Sequence, residues 1–108
     1  KMKRVQQIVK VKPEKYEEYK KLHANIWEEA AKVIKEAHIQ NYSISYRDGL
    51  LFAYFEYTGD NYEMDMQKMA DAEITKEWWA VCKPCLTPVE TEKVSDCWAD
   101  MEEIFYLK

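Results

Sequence analysis

The sequence contains little glycine, proline or histidine, and it has no long apolar run. Its 108 residues include 2 Gly, 3 Pro and 2 His, and no linker, repeat or low-complexity stretch divides them. No apolar run approaches the roughly 18 residues that a membrane-spanning helix needs, and 33% of the residues are charged. These features argue against a membrane protein and predict one globular domain over residues 1–108, near the commonest domain size.

An excess of basic charge and an even set of cysteines are also lacking. The formal net charge is −4, and no basic stripe with interleaved aromatics occurs, so we expect neither nucleic acid nor a membrane as a partner. Three cysteines are an odd number, which fits a reducing compartment better than a disulfide scaffold. Because no secretory signal precedes the first strand-like segment, we expect a cytoplasmic protein.

Aromatic residues, by contrast, are abundant, with 4 Trp, 8 Tyr and 3 Phe. Some of them must belong to the hydrophobic core. An excess of aromatics with polar groups also suits a binding site for a ligand that has both apolar and hydroxyl-bearing faces, such as a sugar. Composition alone does not separate these two interpretations.

The segment from Pro13 to about Ala37 has the pattern of an amphipathic helix. Tyr19, His23 and Trp27 are spaced four apart, so they lie on one side of it, and that side is otherwise apolar. His23 is therefore predicted to point inward among aromatic rings. It is a candidate general acid or base, because its usual pKa is about 6.5. The alternative is a core histidine bonded to a backbone carbonyl, and this segment alone favours that alternative.

We expect the helix to break near Ala24 and Asn25. Asn25 and Glu28 have the spacing of a capping box, which would start a second helix there. His23 would then lie at the C-terminal end of the first helix, where the helix dipole favours a protonated imidazole.

The rest of the chain alternates strands with a second helical region. Strands are predicted over residues 3–11, 40–47, 50–57 and 101–107. Helical segments are predicted over residues 61–71 and 72–81. Asp48-Gly49 predicts a hairpin turn, Asp60 or Asn61 can cap the first helical segment, and Pro84 ends the second.

This order is the β-α-β-β-α-β pattern of an α+β, ferredoxin-like sandwich. Its helices should pack on one face of a four-stranded antiparallel sheet. The other face should present Tyr42, Ile44 and Tyr46, or the residues that alternate with them. That face needs cover from the C-terminal segment or from a second copy of the chain, so we expect a dimer.

Two motifs near residue 80 carry possible chemistry. Trp78 and Trp79 point about 100° apart on a helix, so one should pack inward while the other lines a pocket or an interface. Cys82 and Cys85 form a Cys-x-x-Cys motif. It follows a helix rather than opening one, and no second such motif completes a zinc site, so two incidental thiols are favoured over a redox or metal site.

The remaining titratable candidates are weaker. His38 follows the long helical region, and a structural or exposed role is expected for it. Glu102 and Glu103 are expected to form a solvated edge of the last strand. A carboxylate in that region could still orient a sugar hydroxyl or a histidine.

Several short stretches occur together in a distinctive order and spacing. They are Glu17-Glu18-Tyr19, His23, Ile26-Trp27, Asn41-Tyr42, residues 50–53 (LLFA), Trp78-Trp79 and residues 103–107 (EIFYL). In this combination the sequence resembles the L-rhamnose mutarotases, which are small sugar 1-epimerases. The resemblance extends over essentially the whole chain.

The resemblance implies a ferredoxin-like chain that pairs as a homodimeric α/β barrel. It implies an isomerase that interconverts the α and β anomers of L-rhamnose with no metal and no cofactor. It also implies that His23 is the proton donor, acting as general acid or base in ring opening. Tyr19, Tyr42, Trp78 and Trp79 would bind the sugar, and one tryptophan would stack on its apolar face and methyl group. Whether Tyr19 only binds the sugar or also completes the proton pair stays open.

The sequence departs from the family pattern at two places, and two alternatives stay open. Ala24-Asn25 stands where the family often has Asn-Pro, and residues 58–72 match poorly, which would affect the pocket rim and the sugar preference. One alternative is a cofactor-binding monooxygenase or haem-degrading enzyme of the dimeric α/β barrel fold. The other is a non-catalytic sugar-binding domain, since a fold by itself does not fix a function.

Overall fold

The fold is an antiparallel sheet with four helices packed on one of its faces. The structure is a computed structural model that describes residues 2–89 and 97–108. The strands are β1 (Lys3–Val11), β2 (Ile39–Arg47), β3 (Leu50–Tyr57), β4 (Leu86–Thr87) and β5 (Ala99–Asp100). The helices are α1 (Tyr16–Ala24), α2 (Glu28–Glu36), α3 (Tyr62–Asp71) and α4 (Glu73–Cys82), with 3-10 turns at Pro13–Lys15 and Lys83–Cys85. Each predicted helical region is thus a pair of consecutive helices.

The sheet has the strand order β2-β3-β1-β4, and β5 also pairs with β1. Strand β4 pairs with Lys10 and Val11, whereas β5 pairs with Gln7 and Ile8. The two short strands therefore share the edge of β1 that β3 leaves unpaired. This topology confirms the predicted ferredoxin-like fold.

The predicted last strand over residues 101–107 is wrong. The strand that pairs there is β5, two residues long, and residues 101–108 have no regular structure. The amide of Met101 still donates to the carbonyl of Gln6 at 2.8 Å. Beyond it, residues 102–108 pair with no strand among the described residues.

The hairpin between β2 and β3 confirms the Asp48-Gly49 turn. Both residues have positive φ, +52° and +82°, as a type I′ turn requires. The turn sets a register in which Ile44 lies opposite Ala53, and Tyr46 opposite Leu51.

A β-bulge in β2 decides which of its residues face the helices. Ile39 pairs with Tyr57 on the helix-covered side, and the register shifts between Gln40 and Ser43. The intervening Asn41 has φ +50°, as an extra, unpaired residue would. One extra residue reverses the alternation, so every later side chain changes face.

Because of this bulge, Tyr42, Ile44 and Tyr46 face the helices, so they are not the set that lies on the other face. Their alternates Ser43 and Ser45 lie there instead. The ring of Tyr42 packs 5.4 Å from that of Phe55, centroid to centroid, and Phe55 belongs to the buried core.

The core lies between this sheet face and the helices. Its larger cluster contains Val9, Val11, Tyr19, Ala30, Leu51, Trp78, Cys82, Cys85 and Leu86. A second cluster contains Val5, Ala37, Ile39 and Phe55, with side chains of α3 against it. Both clusters use the same sheet face, which confirms that the helices pack on one side.

The predicted break in the long helix is confirmed, but its cap is not. Helix α1 ends at Ala24 and α2 begins at Glu28. The N-cap position of α2 is therefore Trp27, which makes no side-chain cap, while Asn25 ends α1. The capping-box prediction for Asn25 is wrong because α2 starts two residues too late for its side chain to reach the first turn.

Helices α3 and α4 begin and end as the sequence indicates. The side chain of Asn61 accepts a hydrogen bond from the amide of Met64 at 3.1 Å and so caps α3. Pro84 lies in the 3-10 turn that follows α4. Trp78 and Trp79 are thereby fixed on the last turns of α4, against the sheet.

Candidate functional site

A cavity of about 600 Å³ opens between the helix-covered side of the sheet and the helices. Its lining includes all five predicted site residues, namely Tyr19, His23, Tyr42, Trp78 and Trp79. A second cavity of about 520 Å³ shares His23, Tyr42 and both tryptophans with the first. Both volumes lie in the range of small-molecule sites, roughly 300–1,000 Å³. The fold therefore gathers residues from α1, β2 and α4 around one space.

His23 is held by a backbone hydrogen bond. Its Nδ1 lies 3.0 Å from the carbonyl oxygen of Tyr19. A carbonyl oxygen only accepts, so we assign the proton to Nδ1, and the neutral imidazole keeps its lone pair on Nε2. This is the carbonyl contact that the core interpretation of His23 expected, yet the same residue lines the cavity. The two interpretations of His23 are compatible, because the carbonyl uses only one ring nitrogen.

Burial lowers the pKa of His23 below its usual value. The hydrogen bond to the Tyr19 carbonyl acts in the opposite direction and raises it, but loss of hydration is the larger effect. The expectation that the end of α1 favours a protonated His23 is therefore wrong. Near neutral pH the imidazole is mainly neutral.

Aromatic rings surround His23 on two sides. The ring of Tyr19 stacks on the imidazole with centroids 4.1 Å apart, and the ring of Trp78 lies 5.3 Å away at 60°. Trp27 meets Trp78 edge-on at 5.0 Å. Tyr19 and Trp78 are each only 5% exposed. The imidazole is thus held in a fixed orientation by packing as well as by its hydrogen bond.

Tyr19 keeps its phenolic proton. Burial raises its pKa well above the usual value near 10, and the neighbouring Tyr42 raises it further. A hydroxyl in this state can donate a hydrogen bond, but it does not act as a base near neutral pH.

The two adjacent tryptophans differ as their spacing predicts. Trp78 is buried in the core cluster, whereas Trp79 is half-buried. The ammonium group of Lys83 lies 4.3 Å from the centroid of the Trp79 ring, a cation–π arrangement. Both indoles nevertheless line the cavity.

Gln7 and Asp100 are among the polar lining residues that were not predicted from the sequence. Gln7 Nε2 donates to Asp100 Oδ1 at 2.9 Å, and both residues line the 600 Å³ cavity. A signal for Gln7 did exist, since it interrupts the apolar series Val5, Val9 and Val11 on one strand face. Asp100 had none, because only the pairing of β5 with β1 brings it to the site.

The weaker candidates lie elsewhere. His38 is exposed in a turn with φ +66°, which agrees with the structural or exposed role expected for it. The guanidinium of Arg4 donates to both oxygens of Glu103, at 2.8 and 2.7 Å, and Glu102 is exposed.

The cysteine motif carries no sign of reactive chemistry. Cys82 and Cys85 are buried and unbridged. Burial raises the pKa of Cys82 to about 12, so it stays a thiol rather than the reactive thiolate. Across residues 2–89 and 97–108, no three His, Cys, Asp or Glu side chains converge as metal ligands. No helix in those ranges has the length and apolarity needed to cross a membrane.

Comparison with known proteins gives one consistent answer. A family model described as L-rhamnose mutarotase matches residues 4–107. The L-rhamnose mutarotase of Bacillus subtilis is 38% identical over 98% of this chain and 99% of its own length. That of Ligilactobacillus salivarius is also 38% identical, over 96% of both chains.

Solved structures agree with the fold. The L-rhamnose mutarotase of Formosa agariphila superposes with a TM-score of 0.78 at 25% identity, covering 98% of this chain and 99% of the other. Tetracenomycin F2 cyclase from Streptomyces glaucescens gives 0.67 at 16% identity, covering 98% and 96%. The likeness to the cyclase concerns the fold alone.

Proposed function

The chain belongs to the L-rhamnose mutarotase family, and from that premise we propose that the cavity around His23 is where it interconverts the α and β anomers of L-rhamnose. The chain is accordingly an isomerase, and the family relationship does not favour the monooxygenase or non-catalytic alternatives. The observation that carries the proposed site is that Tyr19, His23, Tyr42, Trp78 and Trp79 line one cavity.

Anomer exchange requires the sugar ring to open, the bond next to C1 to rotate, and the ring to close. On opening, the anomeric hydroxyl loses a proton and the ring oxygen gains one. Both oxygens are bonded to the same carbon, so one nitrogen placed near them can serve both. We assign this role to His23 Nε2. Because Nδ1 carries the proton and donates it in a hydrogen bond to the carbonyl of Tyr19, Nε2 keeps its lone pair.

The steps on His23 then balance without a second proton source. Nε2 takes the proton of the anomeric hydroxyl, and the imidazolium so formed gives that proton to the ring oxygen as the bond from C1 to the ring oxygen breaks. Closure reverses these transfers on either face of the aldehyde. A pKa below the usual value suits this cycle, because the resting imidazole must be neutral to accept the first proton.

The other site residues bind rather than transfer protons in this proposal. Tyr19 donates a hydrogen bond to the sugar, because its raised pKa keeps the phenol protonated. Tyr42 supplies a second hydroxyl. Trp78 or Trp79 stacks on the apolar face and the methyl group of the 6-deoxy sugar, which favours rhamnose over hydroxymethyl sugars by roughly 1–3 kcal/mol.

The test uses the two histidines as a matched pair. Two-dimensional exchange NMR on L-rhamnose would compare buffer, the wild-type chain, His23→Asn and His38→Asn. His38 is exposed outside the cavity, and asparagine tolerates its positive φ. We expect acceleration by the wild type and His38→Asn, and a loss of about 10²–10⁴-fold for His23→Asn.

Two results would contradict the proposal, one concerning the activity and the other concerning the role of His23. If the wild type does not accelerate exchange on L-rhamnose, the activity itself is absent. If His23→Asn keeps full activity while folded, the proton-transfer role belongs to another group.

We also propose that the chain acts as a homodimer in the cytoplasm. The sheet face away from the helices is here named the open face. Its side chains are half-buried and belong to Arg4, Gln6, Ile8, Phe52, Tyr54 and Glu56. Beside it, Ile104, Phe105 and Leu107 are 77–89% exposed. Apolar surface of this kind is typical of an interface, and three free thiols are typical of a reducing compartment.

A further inference from the structure

A polar residue interrupts the apolar inner face of β1. Val5, Val9 and Val11 are 0–7% exposed there and belong to the core. Gln7 lies on the same face, since it pairs with Ala53 of β3, and it is half-buried at the floor of the cavity. A polar side chain in such a place needs a hydrogen-bonding partner.

The partner of Gln7 is Asp100, which lies directly across from it on β5. Gln7 Nε2 donates to Asp100 Oδ1 at 2.9 Å. This bond uses one donor of the amide and one oxygen of the carboxylate. The amide oxygen of Gln7 and the second oxygen of Asp100 are further acceptors, and both residues line the cavity.

The rest of the cavity lining offers few acceptors of this kind, namely the amide oxygen of Gln67 and the carboxylate of Glu63. His23, Tyr19 and the two tryptophans present aromatic faces, one ring nitrogen and a phenolic donor. An ionised carboxylate is acceptor-only, and its hydrogen bonds are roughly twice as strong as those between neutral groups. A sugar has several hydroxyl donors that need such acceptors. The other lining carboxylate, Glu63, is exposed in the first turn of α3. Asp100 is exposed as well, but its carboxylate is held by the hydrogen bond from Gln7.

We propose that Asp100, positioned by Gln7, forms a hydroxyl-binding subsite that fixes the sugar against the aromatic wall and helps to set which sugars are accepted. Asp100 accepts hydrogen bonds from sugar hydroxyls. Gln7 holds the carboxylate in place and offers its own amide oxygen. The proposal rests on the proposed function, since it takes the ligand to be a neutral monosaccharide.

The chain contains a matched control for this pair. Gln67 Nε2 donates to Asp71 Oδ1, also at 2.9 Å, on the surface of α3. Asp71 is exposed and is not part of the cavity lining. The substitutions Asp100→Asn and Asp71→Asn therefore make the same chemical change in two Gln–Asp pairs. Both glutamines line the cavity, but of the two carboxylates only that of Asp100 does.

Exchange NMR over a range of L-rhamnose concentrations measures the effect. For Asp100→Asn we expect KM to rise about ten-fold or more, the scale of one lost charge-assisted hydrogen bond, while kcat changes less than about three-fold. Asp71→Asn should leave both constants unchanged. Unaltered KM in folded Asp100→Asn would overturn the proposal.

The positioning role of Gln7 has its own signature. Gln7→Met keeps the length of the side chain and removes its hydrogen-bonding groups. We expect KM to rise without a matching fall in kcat, and we expect little further effect when Gln7→Met is added to Asp100→Asn, because Gln7 acts largely through the carboxylate. Equal losses in kcat, or full additivity, would contradict that role.

A binding measurement separates this proposal from the mutarotase activity. Tryptophan fluorescence during titration with L-rhamnose, and with analogues that each lack one hydroxyl, needs no turnover. For the wild type, removal of at least one hydroxyl should weaken binding about ten-fold, whereas Asp100→Asn should not distinguish that analogue from L-rhamnose. This result would support the subsite even if no exchange were accelerated. The same preference in both proteins would overturn the subsite even in an active enzyme.

Discussion

At the scale of single residues, His23 shows how one side chain can be both structural and chemical. Its Nδ1 bonds to the Tyr19 carbonyl at 3.0 Å, which fixes the ring. The stacked phenol of Tyr19 and the indole of Trp78 remove water from around it. The same packing that orients the imidazole also lowers its pKa, because a charged ring would lose hydration that the aromatic neighbours do not replace.

The pH dependence of activity follows from that shift. The neutral imidazole is the competent form, so the rate should fall as the pH falls through the pKa of His23. Burial lowers that pKa, so the midpoint of the acid limb should lie below about 6.5, the usual value for histidine. Anomer exchange measured from pH 4.5 to 8, with the uncatalysed rate subtracted, checks this. A midpoint above 6.5 would contradict it.

The two tryptophans should respond differently to truncation. Trp78 is 5% exposed and packs in the core, so Trp78→Ala should lower the free energy of unfolding by about 3–5 kcal/mol. Trp79 is half-buried beside Lys83, so Trp79→Ala should cost clearly less stability and should mainly raise KM for L-rhamnose. Urea unfolding and exchange kinetics on both variants check this. Equal stability losses would contradict it.

At the scale of elements, the connections decide where the site residues point. The break between α1 and α2 places Trp27 outside both helices, where it packs edge-on against Trp78. The bulge at Asn41 turns Tyr42 toward the cavity. Both features are short irregularities within or between regular elements, and each carries a side chain to the helix-covered side of the sheet.

The hairpin turn offers a test at this scale. Gly49 has φ +82°, and a Cβ added there would meet nothing within 4 Å. The cost of substitution is therefore backbone strain alone. Gly49→Val should lower the free energy of unfolding by about 1–2 kcal/mol, whereas Gly49→Asn, which tolerates positive φ, should cost less. Urea unfolding of both variants checks this, and equal costs would show that the turn is not strained.

At the scale of the whole molecule, the two faces of the sheet lie against different parts of the chain. The inner face is covered by the four helices and carries the cavity. The open face is bordered by the C-terminal segment, where Glu103 bonds to Arg4 and the guanidinium lies 3.3 Å from the centroid of the Tyr106 ring. This contact holds the segment near the sheet while its apolar side chains remain exposed.

The proposed dimer predicts a specific sensitivity of that segment. The wild type should have about twice the 13.0 kDa mass of one chain in light scattering. Phe105→Asp should shift it toward the monomer, because a charge would be buried in the interface. Met64→Asp is the control, since Met64 is an exposed apolar residue, 54% accessible, on α3. A monomeric wild type, or an unaffected Phe105→Asp, would contradict the proposed interface.

The sequence by itself determined the order of the elements, the hairpin and the helix break, and together with the family resemblance it identified five of the residues that line the cavity. Helix periodicity brought Tyr19 and His23 to one face, the Asp-Gly pair fixed the turn, and Asn61 began α3. These features depend on neighbours within one or two turns of the chain, which is why local patterns reveal them. The family resemblance added Tyr42 and the role of His23, which no local pattern contains.

Tertiary structure decided the rest. The direction in which the pKa of His23 shifts depends on burial by Trp78, which lies 55 positions away in the chain. The helix dipole alone predicted a shift in the opposite direction. The face of Tyr42 depends on one extra residue in β2. The Gln7–Asp100 pair exists only because β5 returns to the edge of β1. Desolvation, register and long-range pairing arise from residues far apart in sequence, so they became defined only when the chain was folded.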